Sequence, residues 1–159
     1  MNGIDLYQKI ADGGFLIFLL VTAWEDLRAR RLRPAVLVSG GICGWAARGM
    51  LCFLMWKEGL LWRDYLLDGL LALAAGGILL AVCLLTKGGL GAGDGCFFLA
   101  AAPWMGQARL WSLLIGGMLL CFLVCGGMIV WGTLKGVSMR KKRLPFIPFL
   151  LPAALVLLI

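Results

Sequence analysis

Long apolar runs dominate this chain and restrict it to folds that a lipid bilayer accepts. Of its 159 residues, 62% are hydrophobic and only 14% are charged, whereas a soluble domain is nearer half apolar and a quarter charged. A soluble domain of this size buries only ~70% of the surface that its unfolded chain exposes, so it could not hide this much apolar area. The composition excludes an ordinary soluble domain, a disordered chain and a disulfide-rich secreted module. It predicts an integral membrane protein.

Six apolar segments are candidates for membrane-crossing helices, each of which needs ~20 residues when it spans alone. They cover roughly residues 13–24, 35–55, 65–85, 95–106, 110–132 and 144–159, and the first and fourth are short. The connections between them are too short to separate two domains. We therefore predict an all-α, polytopic membrane protein with six transmembrane helices, built as a single domain over residues 1–159.

Lysine and arginine are concentrated in three connections, which fixes the predicted orientation. Residues 25–34 hold four of them, residues 86–93 hold one and residues 133–143 hold five, which makes ten of the fifteen in the chain. Basic residues accumulate in cytoplasmic loops, so these connections are predicted to be cytoplasmic and both termini external. The same rule accounts for the net charge of +7, and no nucleic-acid partner is predicted. Tryptophans are expected to mark the outer interface at four positions, Trp56, Trp62, Trp104 and Trp111.

Histidine is absent and the cysteines are scattered, which limits the chemistry of any site. The absence of histidine removes histidine-based triads and the usual zinc ligand sets. The six cysteines form no CxxC pair and lie in apolar stretches, so we interpret them as small packing residues. Neither a metal site nor a cofactor is predicted.

Asp94 lies in a glycine-rich stretch, KGGLGAGDG over residues 87–95, directly before the short segment 95–106. If Trp104 marks the outer interface, that segment rises only ~18 Å against a hydrocarbon core of ~30 Å, and the acid lies below the membrane surface. An acid at such depth is a functional candidate, while the alternative is a helix N-cap, where Asp is favoured. Irregular backbone is not tolerated in lipid, so the glycine loop must border protein or a water-filled cavity. This favours the functional interpretation.

Asp26 closes the first helix on the same predicted face. It either pairs with Arg30 at i, i+4 as a solvated acid or meets Asp94 across the bundle. Two adjacent carboxyls cannot both ionise easily, so one keeps a proton. The ionised carboxyl could then activate water, and the protonated one could donate to a scissile carbonyl. Glu25 points ~100° away from Asp26 on a helix and is expected to face solvent or headgroups. The other five acids are expected to be solvated in the tail or the outer loop: Asp5, Asp12, Glu58, Asp64 and Asp68.

Three motifs, in their order along the chain, resemble those of the type IV prepilin peptidase family, whose members are GxGD-type intramembrane aspartic peptidases. Asp26, followed by a basic stretch and Pro34, is similar to the pattern D-x-R-x-R-x-I-P-N. The run from Gly91 to Asp94 is similar to GxGD, and LPFIPFL over residues 144–150 is similar to the I-P-F-G-P-F-L segment that opens the last helix. The resemblance extends over about residues 13–159.

This resemblance implies a function and the residues that carry it out. The chain would be an intramembrane aspartic endopeptidase without a cofactor, in the cell membrane of a bacterium or archaeon. It would remove the short basic leader from pilin, pseudopilin or archaellin-type precursors at the cytoplasmic face. The implied roles are a catalytic pair, two loop glycines and two prolines in the active-site wall: Asp26 and Asp94, Gly91 and Gly93, and Pro145 and Pro148.

The chain also departs from the family pattern. It lacks the N-terminal domain with paired CxxC motifs and so resembles the short, peptidase-only form. Residues 33–35 read Arg-Pro-Ala where the pattern has I-P-N, and Gly95-Cys96 follow Asp94 where a Lys is often found. The missing Lys leaves open an altered specificity or a low activity. A second interpretation is a catalytically silent relative that acts as a scaffold or assembly subunit of a pilus or secretion machine. A small transporter with Asp94 in its ion path is a third, although segments 65–85 and 110–132 carry few polar groups. The particular precursor and the oligomeric state stay open.

Overall fold

Within the residues that it describes, a computed structural model of the chain has six α-helices and one 3-10 turn. It describes residues 3–29, 32–86, 91–135 and 146–158, without the side chains of residues 132–134. The helices are α1 (Gly3–Ala29), α2 (Pro34–Lys57), α3 (Trp62–Leu85), α4 (Ala92–Met105), α5 (Gln107–Leu134) and α6 (Leu150–Leu158), and the turn is Ile147–Phe149. The described ranges contain no strand, so the predicted all-α fold is confirmed.

Three of the described helices are long and apolar enough to cross a membrane by themselves. They are α2, α3 and the part of α5 from Gln107 to Trp131, with 24, 24 and 25 residues. α1 is also long, with 27 residues. It is not among these three because it continues beyond the predicted span 13–24 into polar sequence at both ends. α4 has only 14 residues, and the apolar stretch Ile147–Leu158 is also short. The two short elements therefore depend on the long ones for their place in the bundle.

α4 lies in the centre of the bundle, in contact with α1, α2, α3 and α5. Its side chains from Ala100 to Met105 are buried, as are Phe97 and Phe98. The Phe97 ring stacks on Phe18 of α1 with a centroid separation of 5.6 Å and an interplanar angle of 7°. Because neighbouring helices surround α4, it is held in the bundle by contacts with protein and does not have to span a membrane by itself.

Trp104 corrects one prediction, because it is buried inside the bundle. Its indole Nε1 donates a hydrogen bond to the carbonyl oxygen of Gly40 in α2 at 2.9 Å. A Cβ atom at Gly44 of α2 would lie only 2.6 Å from the same Nε1, and one at Gly14 of α1 would lie 2.7 Å from Cζ3 of the indole, so these two glycines make the space for the ring. The expectation that Trp104 marks the outer interface is wrong. The position of Trp104 therefore cannot be used to infer how deep Asp94 lies in the membrane.

Glycines also bring α3 and α4 together backbone to backbone. A Cβ at Gly76 would lie 2.6 Å from the amide nitrogen of Leu99, and one at Gly95 would lie 3.1 Å from the amide nitrogen of Leu80. Such distances leave room only for a hydrogen atom. The contact of Gly95 with α3 explains why this chain has a glycine directly after Asp94.

A buried arginine joins three helices at the end of α4 that lies opposite Asp94. Arg48 is 1% exposed, and its Nε donates to the carbonyl oxygen of Pro103 at 2.7 Å. Its guanidinium also donates to the carbonyl of Tyr65 and lies 3.9 Å from the carboxylate of Asp68. The Asp68 carboxylate in turn accepts the N–H of Gln107 at 3.0 Å, at the start of α5. Asp68 is therefore part of a polar network and is not simply solvated, as the sequence suggested.

The same correction applies to Asp12 of α1. Its carboxylate lies 3.3 Å from the guanidinium of Arg109 and accepts a hydrogen bond from the Gln8 amide at 3.1 Å. The contact with Arg109 links the N-terminal half of α1 to α5. Two of the five acids expected to be solvated therefore hold helices together.

Candidate active site

Asp26 lies in the last turn of α1, where a distant part of the chain holds its carboxylate. The N–H of Ile147 donates to its Oδ2 at 3.2 Å. The main-chain amide of Phe146 also favours the ionised form of this carboxyl. Both amides belong to the entry of the 3-10 turn, and Ile147 is fully buried. The 3-10 turn contacts α1 directly, so the approach to the last helix fixes the orientation of Asp26.

Asp94 lies in the first turn of α4, with its own N–H donating to the carbonyl oxygen of Gly91 at 3.1 Å. The N-cap of α4 is Gly91, which makes no side-chain capping bond. The alternative interpretation of Asp94 as an N-cap is therefore wrong. Its carboxyl turns back toward Gly91, since a Cβ there would lie 3.0 Å from Oδ2.

The two aspartates lie on helices that pack against each other, Asp26 in the last turn of α1 and Asp94 in the first turn of α4. They are close enough for the charge of Asp26 to act on the carboxyl of Asp94, and both side chains are only partly accessible. Neighbouring carboxylates repel each other, so a shared proton is favoured over two negative charges. A carboxylate beside a carboxylic acid can accept one proton and donate another, which general acid–base catalysis requires. The alternative pairing of Asp26 with Arg30 lies outside the described residues.

Three of the remaining predicted site residues are described, Gly91, Gly93 and Pro148, and their contacts differ. A Cβ at Gly93 would meet the Leu32 side chain at 3.4 Å, so Gly93 faces the entry to α2 while Gly91 faces the Asp94 carboxyl. Pro148 is part of the turn that contacts α1. Pro145 and the glycine stretch 87–90 lie outside the described residues. The roles implied for these residues stay predictions.

The helical angle of Glu25 predicts that its side chain faces solvent or headgroups, and this prediction is wrong. Its carboxylate accepts the N–H of Arg33 at 3.2 Å and lies 3.6 Å from the guanidinium of the same residue, with 16% of the Glu25 side chain exposed. Glu25 therefore ties the end of α1 to the start of α2. This is a structural contact of the connection, and it leaves Asp26 free to turn toward Asp94.

Sequence reasoning missed the amide of Ile147, which contacts one of the two acids. A main-chain donor has no signature in residue type, and the only signal was the proline-rich segment 144–150. Sequence reasoning also missed that Cys121 of α5 lies within reach of the Asp94 charge. Within the described ranges, no group of three or more cysteine and acidic side chains could hold a metal ion.

Comparison with known proteins gives one match. The model of the type IV leader peptidase family matches residues 14–132, most of the chain. The matched range includes Asp26, Gly91, Gly93 and Asp94 and ends before Ile147. No match is found among curated proteins or among solved structures.

Proposed function

The chain belongs to the type IV leader peptidase family, and from this membership and the meeting of its two aspartates we propose that it is an aspartic endopeptidase of the membrane. It removes the short basic leader from pilin-like precursors. The observation that carries the proposal is the approach of Asp26 and Asp94, which are 68 residues apart in sequence and yet interact through their charges. No histidine or serine nucleophile is needed when two carboxyls share the acid and base roles.

Hydrolysis by this pair needs only water and the scissile peptide. One aspartate removes a proton from water as the oxygen attacks the carbonyl carbon, and the other donates a proton to the carbonyl oxygen. The protons then return as the carbon–nitrogen bond breaks and the amine leaves. Each general acid or base contribution is typically worth ~10²–10⁴-fold in rate.

The location of the pair suits a substrate that enters beside the membrane. Asp26 follows the predicted span 13–24 and Asp94 precedes the predicted span 95–106, so both lie on the predicted cytoplasmic side. A precursor whose basic leader is cytoplasmic and whose apolar helix lies in the bilayer presents its cleavage site at this level. We propose that the single domain over residues 1–159 is sufficient for cleavage.

The test is cleavage of a pilin-like precursor co-expressed with the chain and read as a mobility shift. Asp26→Asn and Asp94→Asn are each expected to abolish cleavage at matched membrane levels, because Asn can neither accept the proton of water nor share one with its partner. The two losses should not add, since either change disables the pair. Cleavage by both Asn variants at the rate of the unchanged protein would contradict the aspartic mechanism.

Glu25→Gln is the matched control, on the residue next to Asp26. Its amide oxygen can still accept the Arg33 N–H, so the connection between α1 and α2 is kept and most activity should remain. A silent scaffold subunit is the second candidate, supported by Gly95-Cys96 in place of the usual Lys. It predicts no precursor cleavage by the unchanged protein, and pilus or secretion assembly that survives replacement of both aspartates.

A further inference from the structure

The two aspartates have different surroundings, and this difference bears on which of them carries the shared proton. The Asp26 carboxylate accepts the Ile147 N–H at 3.2 Å, with the Phe146 amide acting on it as well. Within the described ranges, the Asp94 carboxyl accepts no hydrogen bond, and its surroundings are the half-buried start of α4 and the Gly91 backbone. Hydrogen bonds from N–H groups favour a carboxylate over a carboxylic acid, while burial without them favours the acid.

We propose that the main-chain amide of Ile147 is a positioning group that holds Asp26 as the ionised member of the pair, so that Asp26 activates the water and Asp94 carries the proton. This inference rests on the proposed peptidase function and assigns the roles within it. The amide acts through Asp26 and does not touch the substrate. It lies beyond the range of the family match, which ends at residue 132.

The assignment gives a balanced reaction. Asp26 takes one proton from water while the water oxygen bonds to the carbonyl carbon, and Asp94 gives its proton to the carbonyl oxygen, forming a gem-diol. One gem-diol hydroxyl then returns a proton to Asp94, Asp26 gives its proton to the amide nitrogen, and the carbon–nitrogen bond breaks. The products are a carboxylic acid and an amine, and each aspartate ends in its starting state.

No titratable side chain on the described elements that pack against α1 replaces the Ile147 amide as the group that keeps Asp26 ionised. α1 packs against α2, α4, α6 and the 3-10 turn. Of these, α4 carries Asp94 and the thiol of Cys96, and the entry to α2 carries Arg33, which is bound to Glu25. The sequences of the turn and of α6, Ile147–Phe149 and Leu150–Leu158, contain no titratable side chain. The Ile147 amide, with the weaker influence of the Phe146 amide beside it, therefore distinguishes Asp26 from its partner.

The test is an infrared titration of the full chain in lipid bilayers, which reads protonated carboxyls by their carbonyl stretch. The double variant Asp26→Asn/Asp94→Asn supplies the background from the other acids. In Asp26→Asn the remaining transition belongs to Asp94, and in Asp94→Asn it belongs to Asp26. We expect the Asp94 transition to lie about one to two pH units above that of Asp26, the equivalent of one hydrogen bond to a charged group. The reverse order would overturn the assignment.

A backbone substitution then tests the amide itself. Replacing the Ile147 amide by an ester, through the corresponding hydroxy acid, removes the N–H and keeps the side chain. In the Asp94→Asn background this change should move the Asp26 transition upward by about one pH unit. The matched control is the same ester at Phe149, whose N–H donates to the Phe146 carbonyl within the turn at 3.0 Å, and it should move nothing. An Asp26 transition that the Ile147 ester leaves in place would overturn the proposal.

The titration needs no substrate, so its outcome is separate from that of the cleavage assay. A chain that cleaves no precursor overturns the proposed function, and the titration still decides whether the amide orders the two protonation states.

Discussion

Gly91→Ala should slow cleavage because the added methyl group presses on the Asp94 carboxyl. The new Cβ would lie 3.0 Å from Oδ2 and 3.6 Å from Cγ of Asp94, so the carboxyl must move by a few tenths of an ångström. A displacement of about 1 Å costs on the order of 10²-fold in rate when it spoils the geometry of reacting groups. Scaled to this displacement, the loss is roughly 5- to 10-fold. It should fall on kcat, because the interaction affected is made in the transition state.

Gly93→Ala is the matched control, two residues along the same motif. Its Cβ would lie 3.4 Å from the end of the Leu32 side chain, which is an ordinary contact with a group that can shift. Alanine also favours a helix interior over glycine by up to about 1 kcal/mol, so folding should not suffer. We expect less than about a twofold change in activity for this variant.

The assay compares initial cleavage rates of a purified precursor by the two variants in bilayers, with thermal unfolding measured in parallel. A Gly91→Ala protein that keeps its full rate would refute the reasoning, because the carboxyl could then shift without cost. Equal losses in both variants, without a change in stability, would show that the loop acts by flexibility and not through contact with Asp94.

Three further predictions concern stability, the cysteines and orientation. Arg48→Met should lower the free energy of unfolding by roughly 2–4 kcal/mol through lost buried hydrogen bonds. Asp68→Asn should cost less, because 42% of the Asp68 side chain is exposed, and denaturation in bicelles would separate the two. Replacement of all six cysteines by alanine should leave most activity, and loss of cleavage in one well-folded single variant would reveal a thiol that takes part. In that cysteine-free protein, a new cysteine at position 60 should react with an external reagent in sealed cells, while one at position 138, outside the described residues, should not. The reverse pattern would overturn the orientation.

The approximate place of the described helices could be predicted because each contains an apolar run bounded by charge, glycine or proline. α2 begins at Pro34, and α4 is followed by Gly106, whose φ of +76° suits glycine. These signals are local. The burial of Trp104 could not be predicted in the same way, because Gly44 and Gly14, which make the space for its ring, are 60 and 90 residues away in the sequence. The rule that places tryptophan at the interface holds only for indoles that face lipid.

The acids show the same limit at the site. Asp26 and Asp94 could be singled out because carboxylates are rare and costly at the edges of apolar segments. In the sequence, Asp68 could not be distinguished from the other acids of the predicted outer loop. No local signal indicated that Arg48, twenty residues earlier, is buried beside it. Residue type shows that a group is chemically able to act, while its partners depend on contacts between distant parts of the chain.

The contact between Asp26 and the Ile147 amide joins residues that are 121 positions apart, and this separation has a consequence during synthesis. At ~5–20 residues per second, roughly ten seconds pass between the emergence of the first aspartate and that of the amide that orients it. A nascent chain already carries both acids long before it can set their protonation. If the amide acts as we propose, the aspartates of a ribosome-bound chain would lack this bias, and full activity beside newly inserted membrane proteins would begin only when the last helix packs against the first.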